Sequence, residues 1–112
     1  GTGKIDLNDS PLTGYGADLQ TLNAATLELD DDDNGTIINC TYTDGTVAIT
    51  VPNGLATGFN CLIVQSGTQQ ITLSGAATLN NRNGLKTAGQ YAILTLVHIS
   101  TNVFIVSGDT TS

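Results

Sequence analysis

The feature that most constrains this chain is a series of short apolar segments, separated by turn-forming residues, from residue 25 to the end. In segment 46–51, Val47, Ile49 and Val51 alternate with Ala48 and Thr50, which is the period of two that a half-buried strand requires. Gly, Asn, Asp and Ser mark the breaks between segments. We expect eight strands, at 25–29, 36–42, 46–51, 59–65, 70–74, 76–80, 90–99 and 102–107.

Eight short strands, with no helix-period stretch after residue 25, predict an all-β fold. The expected architecture is a small antiparallel β-sandwich or jelly-roll-like domain. Asp44-Gly45 predicts a hairpin between segments 36–42 and 46–51, and Ser100-Thr101 predicts a second one between the last two segments. The predicted organisation is an extended N-terminal arm at 1–24 followed by a β-sandwich domain at 25–112.

Segment 90–99 is apolar on both of its faces. A strand of this kind needs cover on both sides, and 112 residues offer little material for a third layer. We therefore expect another copy of the chain to cover one side. One face carries Tyr91, Ile93, Val97 and Ile99, and the other carries Ala92, Leu94 and Leu96.

Residues 1–24 contain scattered apolar side chains that fit neither a strand nor a regular helix. A short helical turn near 17–24 is one interpretation. The segment is either an arm that docks on a neighbouring molecule or a frayed terminus, and we expect the arm. Its interface candidates are Ile5, Leu7, Leu12, Tyr15, Leu19 and Leu22.

Four consecutive aspartates followed by Asn-Gly, at 30–35, resemble the start of a calcium-binding loop. Asp30, Asp32 and Asn34 have the spacing of the first EF-hand ligands, which makes them weak candidates for a metal site. The twelfth position, however, is Thr41 instead of the bidentate Glu, and no helices flank the segment. The sequence favours an acidic turn between two strands, and we expect no metal and no other cofactor.

The formal charge of −7 is concentrated in the first part of the chain. Residues 1–45 carry nine acidic residues against Lys4, whereas the remainder carries only Arg82, Lys86 and Asp109. Nucleic-acid binding needs a basic surface, which this chain lacks. No apolar run approaches the length of a membrane span. An acidic surface favours basic protein surfaces or cations as partners.

Neither the single histidine nor the two cysteines indicate catalysis. His98 lies within a strand and has no partner pattern for a catalytic triad or a zinc site, so we expect a packed or surface histidine. Cys40 and Cys61 lie in apolar contexts, which predicts free, buried thiols. We expect that the protein is not an enzyme.

Six short motifs occur in a fixed order between residues 48 and 109. They are AITVP at 48–52, GFNC at 58–61, VQSG at 64–67, QITL at 70–73, TAGQY at 87–91 and VSGD at 106–109. Together they resemble a β-rich module of bacteriophage virion surface proteins, namely tail-fibre, head-fibre and capsid-decoration proteins. The turn at 32–36 is similar to the step that precedes the module, which brings the coverage to about two thirds of the chain. Phe104 is a departure, since the family commonly carries Trp there.

The resemblance implies a structural protein of the virion, often a trimer. We expect a capsid decoration (cement) protein outside a phage head, assembled in the host cytoplasm, with itself and the major capsid protein or another virion protein as partners. The alternative is a receptor- or glycan-binding module of a tail fibre, head fibre or spike. The sequence leaves open whether Gly1 is a mature N-terminus or a fragment boundary.

Overall fold

The chain alternates between two β-sheets. Residues 18–112 are the part that the computed structural model describes, and they form eleven strands and one 3-10 turn at Asp31–Asp33. The strands are β1 (Asp18–Leu22), β2 (Thr26–Glu28), β3 (Thr36–Cys40), β4 (Val47–Thr50), β5 (Asn60–Gln65), β6 (Ile71–Ser74), β7 (Thr78–Asn80), β8 (Lys86–Thr87), β9 (Ile93–Ser100), β10 (Val103–Gly108) and β11 (Thr110–Thr111).

Sheet A has the strand order β1-β3-β5-β9-β10-β7, and sheet B has the order β11-β8-β6-β4-β2. The all-β prediction is confirmed, since residues 18–112 contain no α-helix. It follows that this part of the chain also contains no helix long and apolar enough to cross a membrane.

The first six strands form a solenoid-like arrangement instead of an antiparallel sandwich. Odd-numbered strands enter sheet A and even-numbered strands enter sheet B, and every pairing among these six is parallel. In sheet A, Ile37 lies beside Leu62, and in sheet B, Val47 lies beside Ile71. The antiparallel part of the prediction is therefore wrong for these strands.

The predicted hairpin at Asp44-Gly45 is likewise wrong. This turn takes the chain from β3 in sheet A across to β4 in sheet B, so the two strands are not hydrogen-bonded neighbours. Both edges of β3 are already occupied, by β1 and β5. The physical reason is that alternation fixes which face of a strand is buried but leaves its neighbour undetermined.

The C-terminal part of the chain departs from the parallel pattern. The predicted final hairpin is confirmed: β9 and β10 pair antiparallel, with Val97 beside Ile105. On its other edge β9 pairs antiparallel with β5, while β10 pairs in parallel with β7. The hairpin therefore lies between β5 and β7 and joins the parallel strands to the last strand of sheet A.

The core lies between the two sheets, where their inward side chains meet. Its aromatic centre is the pair Phe59 and Phe104, whose rings meet edge to face with centroids 6.2 Å apart. Burial alternates along β3, β4, β5 and β6, and for β4 this is the alternation that the sequence predicts. The largest fully buried aliphatic residues are Leu29, Ile38, Ile49, Ile63, Ile71, Leu73, Leu94 and Leu96.

One polar link crosses this core. The hydroxyl of Thr87 in β8 donates to Oε1 of Gln65 in β5, and the backbone N–H of Ile71 donates to Oγ1 of Thr87 over 2.9 Å. The amide nitrogen of Gln65 donates to the carbonyl of Gly67 over 3.2 Å. Both buried side chains are thereby satisfied, as a buried polar group requires, and the link joins sheet A to sheet B.

The described end of the predicted arm belongs to sheet A. Residues 18–22 form β1 and pair in parallel with β3 instead of forming a helical turn. Leu22 is buried in the core of its own chain, whereas Leu19 is 68% exposed. The interface candidates Ile5, Leu7, Leu12 and Tyr15 lie outside the described residues.

Adjacent residues of β9 provide a test of this fold. Leu94 is fully buried, whereas the side chain of Ile93 is 49% exposed on the opposite face. Leu94→Asp should abolish soluble folded protein, because an unpaired carboxylate in the core costs several kcal/mol. Ile93→Asp should leave the fold intact. Soluble yield and circular-dichroism melting measure both, and equal melting of the two variants would contradict the assigned faces.

Candidate functional site

The acidic segment at residues 30–33 forms a capped 3-10 turn between β2 and β3. Oδ1 of Asp30 accepts the backbone N–H of Asp32 over 2.9 Å, and Oδ2 of Asp33 accepts the backbone N–H of Asp30 over 3.0 Å. This reciprocal pair is a capping box, in which two carboxylates satisfy the free N–H groups of the turn. Gly35 then adopts a φ of +76°, a conformation that favours glycine.

Asp33 is the one buried carboxylate among residues 18–112. Its Oδ1 accepts the side-chain amide of Gln20 over 2.7 Å, and its backbone carbonyl accepts the hydroxyl of Thr36 over 2.8 Å. Gln20 therefore ties β1 to the turn. Sequence reasoning missed this role, because it depends on a neighbour thirteen residues away.

The three weak metal candidates do not form a ligand cluster. Asp30 is engaged in the cap, and Oδ1 of Asn34 accepts the backbone N–H of Asn60 over 3.1 Å. The neighbouring Asp31 accepts the backbone N–H of Ala56 over 2.8 Å. Across residues 18–112, no three His, Cys, Asp or Glu side chains are grouped so that they could hold a metal ion. The turn instead uses its oxygens to organise the backbone around it.

An acidic cleft lies beside this turn. Its cavity has a volume of about 380 Å³ and is lined by Glu28, Asp30 and Asp31 on one side and by residues 52–55 on the other. No Lys or Arg lines it. The grouped carboxylates create a negative potential, which attracts cations or a basic protein surface.

A second cavity, of about 360 Å³, lies beside the loop that follows β7 and is lined in part by Asn81, Arg82 and Asn83. Asn81 organises this loop internally: its amide donates to the carbonyl of Val106, and its Oδ1 accepts the backbone N–H groups of Asn83 and Gly84. Its side chain is therefore committed to the fold, which leaves Arg82 and Asn83 as the polar groups that the loop can present.

The outer face of sheet A, turned away from the core, is apolar. Val97 on β9 lies beside Ile105 on β10, and their side chains are 37% and 38% exposed. Ile93 and Ile99 extend the same face along β9, and Ile99 is 56% exposed. The sequence predicted that β9 is apolar on both faces, and the structure places one face in the core and leaves the other open.

His98 is packed and serves the fold. Its Nδ1–H donates to the carbonyl of Ala56 over 2.7 Å, and its Nε2 accepts the backbone N–H of Asn102 over 3.1 Å. These two contacts assign the neutral tautomer with the proton on Nδ1. The imidazole also stacks on Phe104 with ring centroids 4.4 Å apart. Of the two predicted alternatives, a packed or a surface histidine, the structure shows the packed one.

The two cysteines are free and buried, as predicted. Cys61 is the second residue of β5. Burial raises the pKa of its thiol to about 12, and the charge of Asp33 is a smaller cause. A thiol with such a pKa is almost entirely protonated at neutral pH and is a poor nucleophile.

Comparison with known proteins adds no assignment. No protein-family model matches the chain, and no curated protein sequence matches it significantly. The resemblance to phage virion modules therefore stays a prediction.

The buried thiol predicts a specific alkaline sensitivity. In the unfolded chain the thiol ionises near its ordinary pKa of 9.0, whereas in the folded protein Cys61 stays protonated up to about 12. The unfolded state therefore binds fewer protons across this interval, and the free energy of unfolding should fall as pH rises from 9.0 to about 12.

Denaturant unfolding measured across this pH range tests the effect. Cys61→Ala should flatten the alkaline decline, whereas Cys40→Ala, which removes a buried thiol elsewhere, should retain the Cys61 contribution. An unchanged decline in Cys61→Ala would assign the alkaline loss to other groups.

Proposed function

We propose that the protein is a non-enzymatic structural component of a virion, a capsid decoration protein that sits as a homotrimer on the outside of a phage head. The observation that carries this proposal is the division of the surface into an apolar outer face on sheet A and an acidic cleft beside Asp30 and Asp31. Each is suited to packing against protein. The resemblance between residues 48 and 109 and phage virion modules supports the same role.

The internal use of polar side chains also supports a structural role. Four buried polar side chains are each hydrogen-bonded within the fold, namely Asp33, Gln65, Thr87 and His98. Such groups hold a fixed shape. A particle-surface protein needs a rigid body of this kind, because its contacts are repeated on every copy.

In this proposal the acidic cleft faces a basic surface of the major capsid protein or of another virion protein. Glu28 and Asp31 are exposed acidic residues that line the cleft and lie outside the capping hydrogen bonds of Asp30 and Asp33. Exposed ion pairs each contribute little, about 0.2–1 kcal/mol. Repetition over many subunits makes such weak contacts sufficient for attachment.

The alternative candidate is a receptor- or glycan-binding module of a fibre or spike. The cavity beside the 81–83 loop favours it, since Asn83, Arg82, Ser107 and Thr110 offer hydrogen-bonding groups around a concave surface. No aromatic residue lines this cavity, so a sugar ring would find no stacking platform there. The decoration role is therefore the better supported of the two.

Particle binding tests the decoration role. Purified protein added to particles of the source phage that lack it should co-sediment with the heads, and its density should appear on the outer shell in cryo-electron microscopy. Glu28→Gln with Asp31→Asn, which keeps the oxygen that accepts the N–H of Ala56, should weaken binding roughly 2- to 30-fold, the effect of losing two exposed ion pairs, and added salt should reduce the difference.

The matched control is Asp44→Asn with Asp109→Asn, which removes the same charge from exposed sites outside the cleft. This control should bind nearly as well as the unaltered protein. Equal loss in both double variants would show that net charge matters and that the cleft does not. Location of the protein in fibres or spikes instead of on the head shell, together with specific hits on a glycan array, would favour the alternative.

A further inference from the structure

The outer face of sheet A is continuous across its strands. Leu62 lies beside Ile37 on one side and Thr95 on the other, and Val97 lies beside Ile105. Because these positions alternate with buried residues, they share one side of the sheet. The apolar members of the face on strands β3, β5, β9 and β10 are Ile37, Leu62, Val64, Ile93, Val97, Ile99, Val103 and Ile105.

No charged residue occupies an outward position on the described strands of this sheet. Uncharged polar residues are interspersed with the apolar ones: Asn60 lies beside Val97, Asn80 beside Ile105 and Thr95 beside Leu62. A mixture of aliphatic and uncharged polar groups, with charged groups depleted, is typical of the core of an interface between proteins.

Sheet B supplies an internal comparison, because its outer face has a different character. Thr26, Ala48 and Thr72 lie side by side there, followed by Lys86. Glu28, Thr50 and Ser74 form the next row. The same chain thus places hydroxyl and charged groups outside one sheet and aliphatic groups outside the other, so low overall charge does not account for the apolar face.

The dimensions of the face suit a stable interface. The six strands of sheet A have three to eight residues each, and at ~3.3 Å per residue and ~4.8 Å between strands they give a footprint of roughly 500 Å² before side-chain relief is counted. A standard interface buries about 800 Å² on each partner. Because side chains project from the sheet, the accessible surface of the face is larger than this flat footprint and approaches the standard interface area.

Charge identifies the occupant. The chain carries a net charge of −7, and in the described residues the acidic groups lie in turns, at strand ends or on sheet B. Asp109, directly after β10, borders the face, since its backbone N–H donates to the carbonyl of Ile93 over 3.1 Å. A charged partner would gain nothing from an uncharged face and would lose its own hydration. The same face on other copies loses none, and in a homotrimer the three sheet A faces can pack around a common axis.

We infer that the outer face of sheet A packs against another copy of this chain, with Val97 and Ile105 at the centre of the contact. This inference rests on the self-association included in the proposed function. It is tested in solution, without particles. A protein that self-associates through this face but is absent from virions would contradict the virion role and leave the interface established.

The first experiment places charges on each face in turn. Val97→Lys with Ile105→Lys introduces two neighbouring cations on sheet A, and Ala48→Lys with Thr72→Lys introduces two neighbouring cations on sheet B. Light scattering after size exclusion and sedimentation velocity give the mass of each. The unaltered protein and the sheet B variant should be oligomeric, whereas the sheet A variant should be a folded monomer with association weakened at least about tenfold.

A second measurement uses introduced thiols. Cys40 and Cys61 are buried, so a cysteine at an exposed position is the one that reacts. Val97→Cys should be alkylated slowly at concentrations where the protein is oligomeric and quickly on dilution, whereas Thr50→Cys should react at one rate throughout. This comparison separates interface protection from any effect of the lysine substitutions on folding.

Three outcomes would overturn the inference. One is an unaltered protein that stays monomeric at every concentration. Another is a sheet A variant that keeps the oligomeric mass of the unaltered protein. The third is a full chain that is monomeric while a variant lacking residues 1–17 self-associates, which would show that this chain's own N-terminal segment occupies the face.

Discussion

The structure depends on the alternation of successive strands between two sheets that share one core. Each of the first six strands finds its hydrogen-bonding neighbour not in the next segment of chain but in the segment after that. Neither sheet can therefore be completed without the other. The inward aliphatic side chains of β3 and β5 meet those of β4 and β6 at every step, which makes the core a product of the whole coil.

The same alternation explains how the few buried polar groups are tolerated. Thr87 lies in a two-residue strand of sheet B, yet its hydroxyl reaches Gln65 in sheet A and receives the N–H of Ile71. A buried amide without these partners would cost about 1–3 kcal/mol. The hydrogen bond between Thr87 and Gln65 also fixes the relative register of the two sheets. Packing of aliphatic side chains alone specifies this register less sharply.

The sequence predicted the location of most strands but not their partners. The period of two in β4 identifies an inward face correctly, because that period follows from the geometry of the strand itself. The partner is a long-range property, so Asp44-Gly45, a typical hairpin turn, was assigned to the wrong connection. Strands β8 and β11 have two residues each and carry no period that could be recognised.

The candidate sites show the same division. The two-faced character of β9 is visible in the sequence, because Ile93, Val97 and Ile99 alternate with Leu94 and Leu96. The role of Asp33 is not visible, because among four consecutive aspartates only the folded chain distinguishes the one that Gln20 buries. The acidic run signalled a turn by its Asn-Gly step, and its carboxylates proved to be caps for that turn.

The position of the β9–β10 hairpin determines the stage of synthesis at which sheet A can be completed. The parallel strands β1 to β6 leave the ribosome in the order in which they pair, so each new coil can be added to a finished one. Sheet A nevertheless keeps an open edge at β5 until residues 93–108 have been synthesised, because only the hairpin joins β5 to β7. Completion of sheet A is thus a late event in the synthesis of residues 18–112. A chain interrupted before that point would expose the unpaired edge of β5, to which strands of other chains can add.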